Sequence, residues 1–182
     1  MHILDRMPAA PARAGRRRIS MQDTGKRSSL ALFGPVSHPV GGVIAGAVAG
    51  VAYLAAQVSF AAAAGGGAVE PLQRIAAILM GPDAAPPPSE FSFTILGMAT
   101  IIHLALAMVF GRVVAWLVWR RPAGSALLLG AAIGVALYAV NFHLLAPLAF
   151  PWFEQALQLP TIVDHALFGG VAAAVCLALR RA

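Results

Sequence analysis

Six polar side chains stand inside otherwise apolar sequence: Gln57, His103, Asn141, His143, Asp164 and His165. Histidine titrates near neutrality and carries good ligand nitrogens. A neighbouring carboxylate can exchange a proton with it, and amides bridge helices through hydrogen bonds. Burying an ionisable group in a bilayer is costly, roughly 2.5–3.5 kcal/mol for Asp on insertion scales. Such groups therefore mark a water-filled cavity, a proton relay, a ligand site, or hydrogen bonds that fix helix packing.

Their spacing says how they are presented. Gln57 and Tyr53 continue the line of Gly42, Gly46 and Gly50, which recur every four residues. Asn141 continues Gly130, Gly134 and Leu137; His165 shares a face with Gly169, Ala172 and Cys176; His103 lies with Ala99, Thr100 and Ala107. Small residues at helical spacing let helix backbones approach, so each stripe is a helix contact with a polar group on it. Gln57, His103, Asn141, Asp164 and His165 are thus expected to form one cluster opening outward, with His103 the deepest and Asp164 near the outer mouth. His143 is two residues from Asn141 and faces nearly the opposite way on an ideal helix. It joins the cluster only if the helix loosens before Pro147; otherwise it faces headgroups or a partner subunit.

Other chemistries lack their motifs. The chain contains no P-loop, GxSxG, HExxH, cysteine cluster or paired intramembrane carboxylates, so no motif supports a hydrolase or an ATP-driven machine. Its single cysteine, Cys176, excludes an intrachain disulfide and any CxxC site. No catalytic residue is assigned and a non-enzymatic protein is expected.

The elements that must position these residues are membrane spans. The 182 residues are 59% hydrophobic and 11% charged, where a soluble domain carries about 25% charge. Mean hydropathy is +0.79. Residues 1–35 are arginine-rich and without apolar period, and read as a disordered cytoplasmic tail. They lack a signal peptide's apolar core, and Met21 is an alternative start to Met1. Four spans are expected at about 39–63, 93–119, 126–145 and 161–179, within a transmembrane domain at 36–182. Each is long enough at ~1.5 Å per residue to cross a hydrocarbon core of ~30 Å. Between the first two, Pro71 and Gly81 bracket a short amphipathic helix at 71–80. Leu72, Ile75, Ala76 and Leu79 share its apolar face. It is too short to span and fits the interface. AAPPPSE follows as a stiff connector, and Phe150, Trp152 and Phe153 suit headgroup level. Of the 13 lysines and arginines, all but Arg74 fall on the side of the two termini. This asymmetry predicts an N-in, C-in protein of an inner membrane. The net charge of +6 lies in tails and loop ends, which argues against nucleic acid as a partner.

The runs PLQRIAAILMGPDAAPPP, GVALYAVNFHLLAPLAFPWF and DHALFGG resemble a group of small four-span proteins of bacterial inner membranes with no established activity. The resemblance covers residues 38–180 and implies fold and location only.

The expectation is an all-α, four-helix membrane bundle with an extracytoplasmic amphipathic helix. Three functional readings remain open. One is a structural or accessory protein, partnered by the bilayer and by its own copies or another membrane protein. The second is a small transporter or proton or ion conduit using His103, Asp164 and His165. The third is a metal or b-type haem site built from His103 and His165, with His143 as a further ligand. No cofactor is required by the first two.

Overall fold

The computed structural model describes residues 37–85, 92–150 and 159–181. The tail at 1–35, residues 86–90 of the AAPPPSE connector, and Trp152 and Phe153 lie outside these residues. Among them the chain is all-helical, with α1 (His38–Ala63), α2 (Glu70–Met80), α3 (Phe93–Val118), α4 (Ala123–Ala139), a π-helical segment (Val140–Leu145), α5 (Ala146–Ala149) and α6 (Leu159–Leu179). Helices α1, α3 and α6, and the continuous run Ala123–Ala149, are each long and apolar enough to cross a membrane. The architecture is a four-helix bundle.

Local chemistry sets the element boundaries. Pro39 enters α1 in its first turn, where its missing N–H costs nothing. Beyond α1, Gly65 adopts a left-handed φ of 77° and turns the chain. Glu70 and Pro71 open α2, and Gly81 ends it at φ 89°. Ser92 caps α3 by accepting from the Ile95 N–H at 3.4 Å. Pro122 ends the turn that leads into α4.

The third span runs further than the expected 126–145, and Pro147 explains how. Proline cannot donate to the carbonyl one turn back, and its ring crowds that carbonyl. The backbone answers by widening to a π-helix over Val140–Leu145, so the helix continues through the proline to Ala149.

The bundle has two unlike ends. At one, α1 packs on α3 and α4 on α6 through glycine. A methyl group built on Gly46 would lie 2.8 Å from the Met108 Cα, and one on Gly42 2.9 Å from the Arg112 Cα. Gly130, Gly134 and Gly169 face the partner backbone just as closely. The core here is small: Ala45, Ala49, Val114, Ala115, Val118, Ala126, Ala172, Ala173 and Cys176. At the other end the residues between helices are Tyr53, His103, Phe142, His165 and Phe168, and the packing is open. Helix α2 lies across this end against α3 and α1.

The buried residues of α2 are Pro71, Gln73, Ala76 and Ala77, which differs from the apolar face expected from spacing. Leu79, on that expected face, is 67% exposed. Docking on α3, rather than the helix's own apolar period, selects which side is covered. Outward-facing Val51, Ile101, Val109, Trp116 and Leu128 form an apolar exterior, the surface a bilayer solvates.

Candidate functional site

The open end holds a cavity of about 330 Å³. Every spanning helix contributes to its wall, and α2 adds Arg74, Ile75 and Ile78. The polar contributors are Tyr53, Gln57, Arg74, His103, Asn141, Thr161 and His165; Leu106, Phe110, Leu137, Phe142 and Phe168 supply much of the apolar wall.

Tyr53 is the hub. Its ring stacks on His103 with centroids 5.4 Å apart and meets His165 edge-on at 5.0 Å. It reaches this place because Gly50, one turn earlier, lets α1 approach α3 beside His103. The His103 Nε2–H donates to the Gly50 carbonyl at 2.8 Å, which a carbonyl acceptor requires. The His165 Nδ1–H donates in the same way to the Thr161 carbonyl at 2.8 Å. The Tyr53 hydroxyl lies 3.4 Å from that nitrogen. In the neutral imidazoles, Nδ1 of His103 and Nε2 of His165 are therefore the acceptor nitrogens. Tyr138 and Phe142 complete an aromatic cage around His165, at 5.6 and 5.7 Å.

Asp164 stands behind this wall. It is fully buried, and the Gln57 amide donates to its Oδ2 at 2.6 Å. Its Oδ1 has no hydrogen-bond partner among the described residues.

Gln57, His103, Asn141 and His165 thus share one cavity, and Asp164 touches it only through Gln57. Asp164 lies near the Leu159 end of α6 and faces α1 rather than the cavity, because it precedes His165 by one position and the two point to different sides of the helix. His143 is exposed and packs edge-on against Tyr138 at 5.6 Å. The helix does loosen before Pro147, yet the wider turn brings Phe142 inward and leaves His143 outside. Gly42, Gly46, Gly50, Gly130, Gly134 and Gly169 all lie at helix–helix contacts.

Sequence reasoning left Tyr53 and Arg74 out of the site. Tyr53 falls on the Gly42–Gly50 face next to Gln57, a signal that was there to read. Arg74 carried only its sign, because nothing in the sequence says where α2 docks. Among the described residues no three His, Cys, Asp or Glu side chains gather as a metal-ligand group.

Fold and site together define a multi-pass, all-α membrane protein with an internal cavity of mixed polarity. Comparison with protein-family models, curated proteins and solved structures found no match.

Proposed function

We propose that this is a non-enzymatic accessory protein of the bacterial inner membrane whose bundle holds a small ligand in its cavity. Both termini face the cytoplasm and α2 the outside, with self-association or a membrane partner completing its role. The observation carrying the reading is the cavity itself: apolar walls with a few convergent polar groups, at the small end of the ~300–1,000 Å³ range of ligand pockets. A tightly packed glycine end gives it a rigid base. Native mass spectrometry of the purified protein with dodecanol, a neutral probe, tests this. One bound molecule, lost in a cavity-filling Leu137→Trp variant that stays monodisperse, is expected. Equal retention by the two proteins would refute internal binding.

A second reading, a small transporter or proton or ion conduit using His103, Asp164 and His165, has one observation in its favour. One Asp164 oxygen in the bundle interior has no partner among the described residues, and membrane-buried carboxylates often serve ion paths. Proton flux into liposomes that falls about tenfold in Asp164→Asn would favour it; undiminished flux would remove it. The haem reading fits less well. Bis-histidine ligation needs two imidazoles across an open gap, whereas the Tyr53 ring packs against both His103 and His165.

A further inference from the structure

Among the described residues, Arg74 is the only formally charged side chain in the cavity wall. It is half-buried, and no carboxylate of the described residues lies within salt-bridge distance of it. Glu70, one turn earlier on α2, is the expected partner for an exposed helix pair. Its Oε2 instead lies beside Gly66, 3.2 Å from where a methyl group there would sit. A guanidinium partly withdrawn from water without a counter-charge is unfavourable. Its planar fork matches a carboxylate or phosphate, which takes two parallel hydrogen bonds from it. The same wall carries aliphatic and aromatic side chains, among them Ile78, Leu106, Phe110 and Leu137. The cavity therefore joins one cationic donor to a hydrocarbon lining, the complement of a molecule with an oxyanion at one end and an aliphatic chain at the other. A volume of about 330 Å³ suits one chain segment rather than a two-chain lipid body.

We propose that the cavity binds an anionic amphiphile, its oxyanion head on Arg74 and its single aliphatic chain along the Leu106, Phe110 and Leu137 wall. This rests on the ligand-binding reading above and adds the charge and the residue that reads it. The head can come from a free fatty carboxylate or from an anionic phospholipid with one chain inserted.

The test compares dodecanoate with dodecanol by native mass spectrometry, above the titration range of a carboxylic acid. Wild-type protein is expected to hold dodecanoate about tenfold more tightly than dodecanol, the size of one charge-assisted interaction. Arg74→Gln is expected to keep dodecanol and lose the preference, while Arg74→Lys retains part of it. Retained dodecanol binding also shows that the variants fold. Equal binding of both probes by wild type, or a preference that survives Arg74→Gln, overturns the anion assignment and leaves the cavity reading standing. No binding of either probe overturns both. Added phosphatidylglycerol that displaces dodecanoate from wild type supports a phospholipid source. Dodecanoate binding unaffected by phosphatidylglycerol supports a free carboxylate.

Discussion

Tyr53 connects the two histidines, and its ring and hydroxyl do different amounts of that work. The ring stacks on His103 and meets His165, whereas the hydroxyl is 3.4 Å from a nitrogen already committed to Thr161. Tyr53→Phe should therefore cost less than about 1 kcal/mol, a weak hydrogen bond's share. Tyr53→Ala should approach the ~3–5 kcal/mol of aromatic truncation. Chemical unfolding in detergent measures both. Gln57 and Asp164 form a second pair in which order of removal matters. Gln57→Leu strands both Asp164 oxygens and should destabilise by about 1–3 kcal/mol. Adding Asp164→Leu should restore part of that loss, because two apolar groups replace a half-satisfied polar pair. A double variant no more stable than Gln57→Leu would contradict this account.

Among the helices, glycine separates contact faces from lipid faces. Gly46 and Gly134 face the neighbouring backbone, while Gly97 and Gly170 have open space where a side chain would go. Gly97→Ala and Gly170→Ala should leave stability unchanged or raise it by up to about 1 kcal/mol through helix propensity. Gly46→Ala and Gly134→Ala should each cost at least about 1–3 kcal/mol by forcing packed backbones apart. Similar midpoints for all four would remove the close-packing argument. The π-helical segment is the other element-level device. It spends one wider turn to carry the helix past Pro147 and, in doing so, turns Phe142 to the His165 cage and Asn141 to the cavity. Pi-helical turns often occur at functional positions, and this one shapes a cavity wall.

Across the whole molecule, the two ends divide the labour between stability and binding. Glycine and alanine hold one end together, where Arg180 also donates to the Trp119 and Arg121 carbonyls at 2.7 Å and ties α6 to the α3–α4 turn. The other end carries larger side chains between the helices and is roofed by α2. Perturbing the roof should change ligand occupancy more than stability, and perturbing the glycine end should do the reverse. Arg180→Ala is thus expected to lower the unfolding midpoint while leaving the dodecanol-bound fraction at the open end near wild type. A parallel fall in both would show that the ends are coupled.

The sequence by itself determined the element plan. Apolar runs longer than a bilayer is thick, bracketed by proline, glycine and serine, define four spans and a short connecting helix, since each backbone must satisfy its own hydrogen bonds in lipid. Glycine spacing likewise marked the contact faces, because backbone approach is governed by what lacks a side chain. Gln57, His103, Asn141 and His165 were legible as inward-facing on that basis. Only the tertiary structure decided which of them share a cavity, that Asp164 turns aside to Gln57, that Tyr53 joins the histidines, and that Arg74 reaches the wall. Those facts depend on where α2 docks and how one proline re-registers a helix. The first is set by contacts between segments distant in sequence, and the second by a local change of helical period that no regular 3.6-residue pattern encodes.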